Sequence, residues 1–134
     1  MRRAAFLVAN DTFPEDPSIL PLLFPQNDAQ KLAEVLKDQE TCGFEAIPYL
    51  NETSQKILSD LDEISRELSQ DDTLLFYYSG HGKLSGNELC LVSKETRTDL
   101  EEGLGCSGLS TGEQRETAHF GSRLLLFRSD CKHL

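Results

Sequence analysis

The stretch that most constrains the fold is Leu74–Gly82, which reads Leu-Leu-Phe-Tyr-Tyr-Ser-Gly-His-Gly. Large apolar and aromatic residues follow one another there without polar alternation. A strand covered on both faces requires this, because neither face meets water. The run predicts a buried central strand over Thr73–Ser79, with layers of structure above and below it. Gly80 and Gly82 end it and, having no Cβ, let another backbone come close to the histidine between them. The C-terminal ends of strands are where open α/β sheets place their sites. His81 therefore has two readings, a solvated or hydrogen-bonded structural residue and a proton-transfer group.

Earlier segments supply the layers. Ala4–Ala9 (Ala-Ala-Phe-Leu-Val-Ala) reads as a first buried strand. Residues 11–26 hold Pro14, Pro17, Pro21 and Pro25, which excludes regular structure and predicts a surface loop leaving that strand. Asn27–Lys37 has one apolar face, formed by Ala29, Leu32, Ala33 and Leu36. Asn27 suits an N-cap and Gln30 a capping box, while Asp28 complements the helix dipole. Gly43 closes the helical region, and Phe44–Leu50 reads as a second strand that Pro48 assigns to a sheet edge. Ser54–Leu68 predicts a second helix burying Ile57, Leu61, Ile64 and Leu68.

Strand, helix, strand, helix, strand predicts a parallel three-layer α/β sheet with right-handed crossovers. Beyond His81 the chain turns through Lys83–Asn87, and Glu88–Ser93 reads as a further strand. Residues 94–121 hold five of the nine glycines and no apolar helical face. Arg123–Arg128, with its core Leu-Leu-Leu-Phe, reads as another buried strand. No Gly-x-Gly-x-x-Gly follows the first strand and no P-loop occurs, so nucleotide binding has no support.

With 134 residues the chain predicts one domain. Thirteen Lys and Arg against 23 Asp and Glu give a formal charge of -10, which disfavours nucleic acid as a partner. Apolar runs fall short of a membrane span, and the stretch after Met1-Arg2-Arg3 is too short for a signal peptide. The expectation is a cytoplasmic protein with no membrane contact, in which Cys42, Cys90, Cys106 and Cys131 are free thiols. No Cys-x-x-Cys pair occurs, and Cys106, His119, Cys131 and His133 fit no common zinc spacing, so no metal is expected.

Tyr77-Tyr78-Ser79-Gly80-His81-Gly82 resembles the histidine motif of the caspase-like cysteine peptidases, especially the branch with the metacaspases. Phe6–Ala9, Asn27-Asp28-Ala29, Gly43-Phe44, Thr53–Leu68 and Leu89–Thr96 are similar to that family too, so the resemblance runs over about residues 4–100. It implies a caspase-like three-layer sandwich with a mostly parallel central sheet. It also implies a cysteine endopeptidase acting on a protein or peptide substrate. Such chemistry needs a thiolate, a histidine that manages protons and donors for the oxyanion. By resemblance His81 is the general acid/base and the Gly82 N–H an oxyanion donor. The resemblance likewise implies that Asp28, matching the aspartate of the family's Asn-Asp motif, lies at the floor of an S1 pocket selecting Arg or Lys at P1.

The family's cysteine motif, Asp-x-Cys-x-Ser-Gly, follows an apolar strand. Here Leu124–Phe127 supplies the strand, and Asp130, expected with Asp28 to bind substrate, stands at its end. Cys131 is the candidate nucleophile, one residue before the family's position, which Lys132 occupies; the Ser-Gly is absent. A one-residue slip turns a side chain to the other face of a strand. The expectation is a partial domain over residues 1–134, irregular over 101–134, whose sheet is incomplete at the C-terminus and open to a partner chain. No cofactor is expected; calcium activation is implied by the resemblance alone. Two other readings stay open. One is a catalytically inactive caspase-like fragment acting as an interaction or regulatory domain. The other is an unrelated doubly wound domain binding a small ligand at its strand ends.

Overall fold

The structure, a computed structural model, describes residues 1–85, 88–96 and 123–125, with the main chain alone for 83–85, 88–90 and 123–125. In order come β1 (Arg3–Ala9), α1 (Pro25–Lys37), β2 (Glu45–Leu50), α2 (Ser54–Glu67), β3 (Thr73–Ser79), β4 (Gly82–Ser85), β5 (Glu88–Leu91) and β6 (Arg123–Leu125). Strands β2, β1, β3 and β6 form a sheet in that order, with every pairing parallel. Phe6 stands level with Ile47 on one side and Phe76 on the other.

β1 is one of the two inner strands of this sheet, with all of Ala4 to Ala9 fully buried. Its alternate side chains feed two cores, as the period of two in a strand demands. Ala4, Phe6 and Val8 join Leu74, Phe76 and Tyr78 against Ile57 and Ile64 of α2. Ala5, Leu7 and Ala9 pack with Ala29, Ala33 and Leu36 of α1. The helices thus cover opposite faces, and the three-layer α/β sandwich with a parallel central sheet expected from the sequence is the observed architecture. Phe6 stacks on Tyr49 with ring centroids 4.2 Å apart. Full burial of side chains the size of Phe6, Leu7 or Ile57 stabilises the fold by about 1.5–3 kcal/mol each.

The edge position of β2 agrees with Pro48, which lies level with Leu7. The half-exposed Arg2 guanidinium pairs with Glu45 and Glu67, drawing the starts of β1 and β2 toward the end of α2. Its backbone N–H donates to Asp72 at 2.6 Å, ahead of β3.

Two expectations need correction. α1 begins at Pro25, with Phe24 at the N-cap making no side-chain cap bond, so neither the Asn27 cap nor the Gln30 capping box forms. Proline suits the first helical turn, where its missing N–H costs nothing and its fixed φ is already helical. The segment after His81 is not a plain turn, because β4 and β5 make an antiparallel hairpin as a second, two-stranded sheet. Gly43 closes the α1 region as expected. It takes φ +64, and its N–H donates to the Asp38 carbonyl at 2.8 Å. α2 is capped by Thr53, whose hydroxyl accepts the Lys56 N–H at 3.2 Å.

Candidate active site

Three strand ends meet at the C-terminal edge of the sheet. Asn10, just past β1, donates its N–H to the Ser79 carbonyl at 2.9 Å and extends the ladder to the end of β3. Asn51, just past β2, donates its N–H to the Ala9 carbonyl at 2.9 Å. Asn51 adopts φ 52, a left-handed conformation that asparagine tolerates better than most residues. This turns its side chain onto the proline-containing loop. Its Oδ1 accepts the N–H groups of Asp11 and Thr12 at 2.9 and 3.2 Å, and its Nδ2 donates to Asp11 Oδ1 at 2.7 Å. Gln26 donates to the same Asp11 oxygen at 3.0 Å, joining the far end of the loop to its start.

Between these anchors Phe13 and Ile19 bury themselves against Val92, the residue after β5. Asp16 accepts from the N–H and hydroxyl of Ser18, tightening the turn before Ile19. The result is a main-chain carbonyl aimed inward. Leu20 leaves its side chain 69% exposed but points its carbonyl oxygen at His81 Nε2, 2.8 Å away. A carbonyl only accepts, so Nε2 carries the proton and the neutral ring keeps its lone pair on Nδ1.

His81 is 3% exposed. The Phe13 ring lies 5.2 Å from the imidazole at an angle of 52°. Nδ1 is buried and has no hydrogen-bond partner among the described residues, and the same holds for Oδ1 of Asn10. Buried polar nitrogen is costly to leave unpaired. An imidazole held by one nitrogen with the other free is poised to accept a proton.

The main chain around His81 is held as tightly. The Tyr78 hydroxyl lies 2.8 Å from the His81 carbonyl and 2.6 Å from that of Val92. Val92 donates its N–H to the His81 carbonyl at 3.0 Å, and Asn10 Nδ2 donates to the Val92 carbonyl at 2.9 Å. A Cβ on Gly80 would lie 2.6 Å from the Tyr78 hydroxyl and 3.0 Å from the Asn10 carbonyl oxygen. The glycine therefore does admit a neighbouring backbone, as its sequence position implied, but the tyrosine is the nearer obstacle. Gly82 opens β4 opposite Leu91. Farther along, Glu95 accepts from the N–H of Ser54 at 2.6 Å and from its hydroxyl, fastening this segment to the start of α2. Burial works against the charged Glu95, yet the Ser54 bonds, together with those from its own backbone N–H and from Ser93, hold the carboxyl below the usual range.

Of the residues expected from the sequence, His81 and Gly82 adjoin at this edge. Asp28 is exposed in the first turn of α1, its N–H bonded to the Phe24 carbonyl at 2.9 Å. No direct bond joins it to His81 among the described residues. Asp130 and Cys131 lie outside the described residues. Sequence reasoning missed the Leu20 carbonyl, Phe13, Asn10 and Val92. For the last three, the only signal was position at or near the end of an apolar run. Among the described residues no group of three or more His, Cys, Asp or Glu side chains could hold a metal ion, and no helix is long and apolar enough to cross a membrane.

The chain is thus a parallel α/β sandwich with a buried histidine at its strand ends, the edge at which open α/β sheets place their sites. The family model for the caspase domain matches residues 2–110, and the chain belongs to that family of cysteine peptidases. Comparison with curated proteins gives no match.

Proposed function

We propose that this chain is a caspase-like cysteine endopeptidase of the metacaspase-like branch, cutting peptide bonds after Arg or Lys. One observation carries the reading: the buried His81 imidazole is held through Nε2 by the Leu20 carbonyl, and Nδ1 has no partner among the described residues. Nδ1 takes the proton of a thiol, and the thiolate attacks the scissile carbonyl carbon while the Gly82 N–H supports the oxyanion. Collapse of that intermediate breaks the C–N bond, and the leaving amine receives the proton from His81. Water then hydrolyses the thioester with His81 again as base.

Cys131 is the thiol in this reading. Its support is its place in the sequence, directly after Asp130 and shortly after the apolar run Leu124–Phe127. Asp28, exposed and anionic, supplies the charge that selects a basic P1 residue, with Asp130 as a second substrate-binding carboxylate. Lys132 at the family's cysteine position favours a second reading, an inactive caspase-like domain that binds partners.

Hydrolysis of fluorogenic peptides with Arg, Lys or Asp at P1 tests the proposal. Cleavage after Arg or Lys is expected, falling by about 10²-fold or more in His81→Ala and lost in Cys131→Ala. Folded protein that cleaves none of the peptides would establish the second reading. Activity that survives Cys131→Ala would remove that thiol from the mechanism.

A further inference from the structure

We propose that Tyr78 is the positioning residue of this site, its hydroxyl setting the direction in which His81 presents its imidazole. The inference rests on the reading of His81 as the acid/base group, and it adds what holds that group. His81 sits between Gly80 and Gly82, the two most permissive neighbours a residue can have. The local backbone alone therefore does not fix the imidazole, although Nε2 must meet the Leu20 carbonyl at 2.8 Å. Something outside the Gly-His-Gly segment must hold its peptide planes.

The Tyr78 hydroxyl occupies the place required. Tyr78 is 1% exposed, and two carbonyl oxygens, of His81 and Val92, lie 2.8 and 2.6 Å from its hydroxyl. The single hydroxyl proton is shared between the two carbonyl oxygens, or donated to one of them at a time. The hydroxyl thus ties the histidine's own peptide to the segment after β5, which carries the Phe13 and Ile19 contacts of the Leu20 loop. It also fills the space over Gly80 that a Cβ would need. Packing alone would need only the Tyr78 ring, whereas orientation of the histidine needs the hydroxyl.

Loss of the hydroxyl leaves neither carbonyl bare. His81 keeps the Val92 N–H and Val92 keeps Asn10 Nδ2, so Tyr78→Phe retains the core. Its effect is expected at the imidazole. In the ¹⁵N-histidine-labelled 134-residue chain, with His81→Ala to assign the signal, the ring should show the Nε2–H tautomer and a protected ring proton. Tyr78→Phe should speed exchange of that proton by about tenfold, the equivalent of one net hydrogen bond. Tyr49→Phe, which removes another core hydroxyl (2.9 Å from Asp60), should leave it within about twofold. Equal effects from the two variants, or none from Tyr78→Phe, would overturn the proposal. Should Tyr78→Phe not fold, the unmutated chain still decides: a protected Tyr78 hydroxyl proton must be detected, and its absence refutes the arrangement. These readouts need no peptidase activity, so failure of the peptidase reading and failure of this one are separable. Where cleavage is measurable, Tyr78→Phe is expected to lower kcat with KM nearly unchanged.

Discussion

The sharpest stability test of this site is Gly80→Ala. An ideal Cβ there falls 2.6 Å from the Tyr78 hydroxyl oxygen, 2.9 Å from its Cζ and 3.0 Å from the Asn10 carbonyl oxygen. None of these can yield easily, because Tyr78 and Asn10 are each 1% exposed and both are hydrogen-bonded in place. Overpacking of this kind costs about 1–3 kcal/mol. If the hydroxyl gives way it weakens its bonds to two carbonyls, and one net hydrogen bond is worth about 0.5–1.5 kcal/mol. The expected loss is therefore about 2–4 kcal/mol. Equilibrium urea unfolding reads this as a lower midpoint at unchanged slope.

A double-mutant cycle identifies the obstacle. In Tyr78→Phe the nearest atom to the new Cβ is removed, leaving Cζ and the Asn10 oxygen. Gly80→Ala should then cost less than in the tyrosine background, by a coupling of about 0.5–1.5 kcal/mol. Two results would refute the reasoning. Full additivity would mean that the hydroxyl is not what excludes a side chain from position 80. A Gly80→Ala chain as stable as the parent would mean that the Tyr78 hydroxyl and Gly80 are not packed as described.

Two further outcomes follow from the loop anchors. Asn51→Gly keeps the left-handed backbone and loses three side-chain bonds, whereas Asn51→Ala loses the same bonds and adds about 1–2 kcal/mol of backbone strain. Urea midpoints should fall in the order Asn, Gly, Ala, and the reverse order for the last two would contradict the geometry. Glu95 has its carboxyl held below the usual range, so its contribution is present above that range and fades as pH falls through the depressed value. Glu95→Gln should flatten this acid limb in stability measured against pH, and an unchanged limb would locate the acid sensitivity elsewhere.

Much of the sandwich was legible because periodicity reports burial. Thr73–Ser79 has the bounds expected of it, and Ile57 and Ile64 face the core as their spacing required. The start of α1 was missed because Pro25 was weighed as a breaker, although the first turn is where proline costs a helix least. β4 was missed for a different reason. Gly-Lys-Leu-Ser has no strand signature of its own, and it is a strand because it pairs with Glu88–Leu91 and because the Val92 N–H meets the His81 carbonyl. Propensity is local, and this pairing is not. At the site, the histidine was readable as a side chain in a motif. Its partner was not, since every non-proline residue carries the same carbonyl and only the folded loop selects that of Leu20.

The loop after β1 gives the site its economy of parts. Its Asp11 end is fixed to Asn51 and Gln26, its middle to Val92, and its Leu20 carbonyl to His81. The chain then passes directly into α1, where the Phe24 carbonyl accepts the Asp28 N–H. In the proposed mechanism one covalent segment therefore orients the acid/base group and carries the charge that reads the substrate. The two functions need not be disturbed alike. A fault at the Asn51 anchor reaches Leu20 through the backbone bond from the Leu22 N–H to the Asp11 carbonyl, 2.9 Å long. It reaches Asp28 only through Gln26 and the rest of a helix that Ala29, Ala33 and Leu36 already hold against the sheet. Loosening the anchor should therefore cost proton transfer before it costs discrimination at P1, because the Nε2 end of the His81 ring meets a loop carbonyl and the aspartate rides on a packed helix.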